Sequence, residues 1–147
     1  MPCQFFFGKL SFEEVLFFLQ ETDNEFPSPL SEHVDIYTYA KKLADFSDFS
    51  VCRVDSRIVG MVSCYTNHPP LGYISNVCIM KQYQGIRLFS VLFQNLLTNL
   101  RNKDIKCLQL EVDPINEKAL NIYKHYGFRK KEFNPISGKV LMERTFV

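Results

Sequence analysis

The sequence contains no tryptophan, only six glycines and only three histidines among its 147 residues. No apolar run approaches the ~20 residues that cross a bilayer, so no membrane span is expected. No positively charged stretch precedes the first apolar residues, and Lys9 and Glu13 follow closely, so no secretory leader is expected either. Charge of one sign is also scarce in excess: 17 Lys and Arg stand against 16 Asp and Glu. Without a surplus positive field to hold a polyanion, nucleic acid is not expected as a main partner. The cysteines Cys3, Cys52, Cys64, Cys78 and Cys107 number five, which is odd, and no two have CxxC spacing. With the histidines scattered, that excludes a zinc signature and leaves reduced thiols in a protein expected to be cytoplasmic.

What is present is the balance of one globular domain over residues 1–147, with 46% apolar and 22% charged residues and fourteen Phe for a Phe-rich core. Strands are predicted over 4–7, 50–54, 58–65, 73–79, 106–112, 128–133 and 139–146. Ser11 and Glu14 have capping-box spacing, and Phe12, Val15, Leu16 and Leu19 follow at helical intervals, giving a first helix to about Glu21. A second helix is predicted over 32–44. A third starts at Gln84, with Leu88, Leu92, Leu96 and Leu100 in one stripe. A fourth runs over 116–126 and is closed by Gly127. The polar Asp55-Ser56-Arg57 suits a hairpin. The order β-α-α-β-β-β-α-β-α-β-β defines a mixed α/β domain.

Chemistry concentrates at Gln84-Gly85-Ile86-Arg87, between a strand and a helix. Glycine there lets backbone N–H groups approach an anion, and the helix start adds its positive dipole end. The run Val77 to Gly85, with Tyr83, Gln84 and Gly85 before a long helix, resembles the stretch of the GNAT acetyltransferase family that opens the acetyl-CoA pyrophosphate loop. Leu110-Glu-Val112 followed by Asn116-x-x-Ala119-x-x-x-Tyr123-x-x-x-Gly127-Phe128 resembles that family's fifth strand and next helix. The resemblance implies a mixed α+β fold: a central, mostly antiparallel, twisted sheet of about seven strands, a splayed fourth and fifth strand, and four flanking helices. It also implies acetyl-CoA as cofactor, moved to a primary amine of a small molecule or peptide in a ternary complex. Two positions depart from the pattern, Arg87 and Phe89, where the family has small residues. The loop has then shifted with both side chains turned away, or Arg87 supplies charge to a phosphate, or the pocket is obstructed. The last case would make the chain a catalytically impaired binding module.

Carried over by the resemblance, Val77, Cys78 and Ile79 would hold the pantetheine arm, with an N–H near Ile79 polarising the thioester carbonyl. Gln84, Gly85, Ile86, Arg87, Leu88 and Phe89 would surround the pyrophosphate, and Asn116, Ala119 and Tyr123 would line the cofactor from the other side. Tyr123 would be the general acid toward the leaving thiolate and Glu111 the general base. His68 and Tyr73 are the fallback bases. Asn116 equally suits a helix cap. Asp23, Glu25 and Asp35 could attract a cationic acceptor or form a solvated rim. A homodimer is left open.

Overall fold

The computed structural model describes residues 3–25, 28–85 and 87–146. Its elements are β1 (Gln4–Gly8), α1 (Phe12–Asp23), α2 (Ile36–Phe46), β2 (Ser47–Val54), β3 (Arg57–His68) and β4 (Leu71–Ile79), then α3 (Leu88–Arg101), β5 (Cys107–Val112), α4 (Glu117–His125), β6 (Arg129–Asn134) and β7 (Lys139–Thr145). The strands form one sheet in the order β1-β2-β3-β4-β5-β7-β6. Every neighbouring pair is antiparallel except β4 and β5, which run parallel.

Local chemistry sets most boundaries. Ser11 and Glu14 exchange the two hydrogen bonds of a capping box, each 3.2 Å, and α1 starts at the next residue. Between β2 and β3, Asp55 and Ser56 both have positive φ, 52° and 67°, the signature of a tight hairpin turn that follows the strands' own twist. Several predicted boundaries shift, among them three element starts. Helix α3 begins at Leu88 rather than Gln84, because Gly85 (φ 84°) and Arg87 (φ 63°) are left-handed and cannot continue a right-handed helix. Helix α2 begins at Ile36 rather than near residue 32, because Asp35 accepts from the Thr38 N–H and fixes the start there; Leu30–Glu32 is a separate 3-10 turn. β2 begins at Ser47, directly after α2, where the backbone turns extended.

Helices α1 and α2 pack on each other and α2 on β2 and β3, while α3 lies against β1, β2 and β3. Phe18, Phe49, Phe93 and Phe128 are among the largest fully buried side chains. The Phe-rich core expected from composition is thus only partly realised, since Phe5, Phe6, Phe17, Phe46 and Phe133 are exposed.

The feature that positions the site is the short contact between β4 and β5. Only Leu71–Cys107, Gly72–Leu108 and Tyr73–Gln109 pair. Beyond Tyr73 the strands part, while β4 stays bound to β3 as far as Ile79. A bulge at Ser63/Cys64 bends the ladder where the parting begins.

Candidate active site

The opened edge of β4 presents main-chain groups to the gap. Met80 donates its N–H to Val59 O at 2.9 Å, so Met80 faces β3. Alternation along an antiparallel strand then turns the amides of Val77 and Ile79 the other way, toward the gap. Ile79 O accepts from Gln84 Nε2 at 2.9 Å, which ties the following loop back to the strand end. Cys78 is buried, and burial pushes its thiol up to about 11, so it stays protonated and serves as packing. Val77 and Ile79 are half-buried.

The loop itself is open. Gly85 has φ 84°, and a Cβ there would meet no atom within 4 Å. No side chain caps α3, and its first turn carries no acidic residue. Its leading amides lie at the positive end of the helix dipole, which suits an anion. Arg87 is exposed at the helix start, and Leu88 is buried, so only the main chain of Leu88 can face a ligand. Ile86 lies outside the described residues. Phe89 turns into the interior between α3 and α4. Its ring stacks on Phe93 at 5.2 Å and meets Tyr123 and Tyr126 edge-on at 6.4 and 6.1 Å. Beside it a groove of about 450 Å³ runs between the first turn of α3 and α4, with Ser90, Lys118 and Asn121 on its walls.

Asn116 caps α4: its Oδ1 accepts from the Ala119 N–H at 3.1 Å. Ala119 is half-buried against the core, one turn before Tyr123. Tyr123 sits among Phe89, Phe93 and Phe128, and burial in this aromatic setting raises its phenol above the usual range. It is a proton donor at neutral pH.

Glu111 projects from β5 and its carboxylate accepts three bonds. Tyr73 Oη donates to Oε1 at 3.3 Å, while Asn134 Nδ2 and Ser137 Oγ donate to Oε2 at 3.4 and 3.1 Å. Burial, and next the negative charge of Glu111, push Tyr73 up to about 12. Tyr73 is thus a donor to Glu111 rather than a base in its own right. Tyr65, the ladder partner of Tyr73, is likewise pushed by burial to about 12. Tyr39 of α2 completes an aromatic wall and donates to Ser75 O at 3.3 Å.

The structure thus brings Glu111 and Tyr73 together at the point of parting. His68 is not with them; it is exposed at the other end of the pair, with Leu71 as ladder partner. The acidic residues of the α1–α2 connection are occupied locally. Asp23 accepts from Ser31, Asp35 caps α2, and Glu25 Oε1 accepts the Lys81 N–H at 2.7 Å. Residues that the sequence reading did not single out are Asn134, Ser137, Tyr39 and Tyr65. Asn134 and Ser137 stand 23 and 26 positions from Glu111, and no periodicity links such distant groups. Among the described residues no group of three or more His, Cys, Asp or Glu converges to hold a metal, and no helix is long and apolar enough to cross a membrane.

Residues 15–128 match the model of the acetyltransferase (GNAT) family. The chain is 30% identical over 104 residues to N-alpha-acetyltransferase 30 of Schizosaccharomyces pombe, covering 67% of this chain and 69% of that one. Two similar solved structures are the PaiA N-acetyltransferase of Thermoplasma acidophilum in complex with coenzyme A (TM-score 0.73, 13% identity, 99% and 100% of the two chains) and the ribosomal-protein-S18-alanine N-acetyltransferase of Escherichia coli (TM-score 0.74, 15% identity, 97% and 94%). At these identities the likeness is one of fold.

Proposed function

The chain belongs to the GNAT acetyltransferase family, and from that premise we propose that it is an acetyl-CoA-dependent N-acetyltransferase. The acceptor is a primary amine of a small molecule or peptide, attacking directly in a ternary complex. The name of the 30% identical relative favours a peptide α-amine within that class. The observation that carries the reading is the β4/β5 gap, which opens immediately after Tyr73 with a carboxylate on one wall and unpaired strand amides on the other.

Acetyl-CoA supplies the acyl group as a thioester. The amides at the start of α3 and at Gly85 hold its diphosphate, and Arg87 and Lys118 add positive charge near it. The Ile79 N–H donates to the carbonyl oxygen where negative charge develops. Glu111, held by Tyr73, takes the proton that the acceptor ammonium must lose before it can attack. Tyr123 delivers a proton to the departing sulfur; burial keeps the phenol protonated at neutral pH, so the proton is there to give.

The position of Phe89 favours a second reading. Its ring packs on Tyr123, and if that contact closes the approach to the phenol the chain is a binding module without turnover. One pair of measurements separates the two. Acetyl-CoA at about 100 times its dissociation constant stabilises the fold by roughly 2.7 kcal/mol, read as a rise in melting temperature. A thiol-release assay with peptide and small amines then registers turnover. A melting shift without thiol release selects the binding module, and no shift at millimolar acetyl-CoA ends the enzyme reading.

A further inference from the structure

The β6–β7 turn does more than connect two strands. Asn134 organises it: Oδ1 accepts the N–H groups of Ile136 and Ser137 at 2.9 and 3.3 Å. The opposite end of the same amide, Nδ2, donates to Glu111. Ser137 Oγ donates to the same carboxylate oxygen and accepts the Lys139 N–H at 3.2 Å. One Glu111 oxygen is therefore held by two donors from a single turn, and the other is left to Tyr73. A carboxylate on a strand has two-fold freedom about its last torsion, and this arrangement removes it. The donors are neutral, so they orient the carboxylate without taking its charge.

We infer that Asn134 and Ser137 are positioning residues for acetyl transfer: the β6–β7 turn is a latch that fixes the general-base carboxylate of Glu111 toward Tyr73 and the β4/β5 gap. This rests on the assignment of Glu111 as base. Neither residue touches the reacting atoms; each acts through the carboxylate. The latch also couples the turn's conformation to the base, since the bonds that shape the turn and those that hold Glu111 share the Asn134 amide.

That shared amide allows a clean test in the full-length chain. Asn134→Asp keeps an oxygen for the two turn N–H groups but replaces the donor by a second negative charge beside Glu111. Ser137→Ala removes one donor, and Ser137→Thr keeps it. The turnover number of Asn134→Asp falls at least about tenfold with KM for acetyl-CoA within about twofold of wild type, the size expected when one charge-assisted hydrogen bond is lost. Ser137→Ala falls in the same direction, and Ser137→Thr restores the turnover that Ser137→Ala loses. Wild-type turnover in Asn134→Asp, or equal turnover in Ser137→Ala and Ser137→Thr, overturns the latch while leaving the functional reading intact. A wild-type chain without turnover sinks the functional reading, and the latch is then read by melting. Asn134→Asp lowers the melting temperature at pH 7, and adding Glu111→Gln recovers about 2 °C or more by relieving the repulsion. Additive effects of the two substitutions overturn it.

Discussion

Tyr123 lies on the side of α4 that carries Ala119, where spacing alone cannot separate a core ring from a catalytic phenol. The tertiary setting shows a packed ring. Its ring is enclosed by Phe89, Phe93 and Phe128, while its hydroxyl has no hydrogen-bond partner among the described residues. Tyr123→Phe therefore keeps the packing and loses only the proton. The expected outcome is a fall in turnover on the order of a hundredfold, the typical scale for losing a general acid, with a melting temperature that hardly moves. Thiol release and thermal melting read the two effects separately, and a large drop in melting temperature would show the hydroxyl to be structural. Asn116 was legible as a helix cap, and the structure shows that cap. The partners of Glu111 were not legible. Nothing in the stretch between the last two strands hints that Asn134 and Ser137 reach back to β5.

The β4/β5 pair is the element on which the candidate site depends, and Gly72 lies inside its paired stretch. A Cβ at Gly72 would come within 2.8 Å of Leu108 Cδ2, 3.1 Å of Cys64 Sγ and 3.3 Å of Ile105 Cγ2. These neighbours are buried core, with little room to give. Gly72→Ala should cost about 1–3 kcal/mol, the usual range for overpacking, seen as a lower midpoint in urea with an unchanged slope. A neutral result would mean that the two strands separate more easily than their packing suggests. The loop after β4 argues the opposite way. Around Gly85 there is space and no contact, so glycine is needed there for its left-handed φ and for approach rather than for packing. Arg87 adopts the same left-handed region without that freedom. The sequence reading placed the start of α3 four residues early for this reason: the leucine stripe announces the helix, but backbone conformations that forbid it leave no mark in hydrophobic period.

At the scale of the whole molecule, the buried phenols and thiols set the alkaline limit of stability. Burial pushes Tyr65 and Tyr73 up to about 12, and Cys64 and Cys78 up to about 12 and 11. Each group holds its proton more tightly folded than unfolded. The stability it contributes is therefore complete below its ordinary value, near 9 for a thiol and 10 for a phenol, and is lost as pH rises through the folded value. The melting temperature should hold steady up to about pH 9 and fall between about 9 and 12, followed by circular dichroism. A plateau extending past pH 11 would contradict the burial of these groups. The caps at Ser11 and Asn116, the element order and the two motif runs were fixed by local pattern, because capping, periodicity and turn chemistry act within a few residues. The residue at which β4 parts from β5, the turning of Phe89 into the α3–α4 interior and the three donors on Glu111 were decided only by the folded chain. Each depends on which distant side chains the sheet brings into reach, and no short-range rule encodes that.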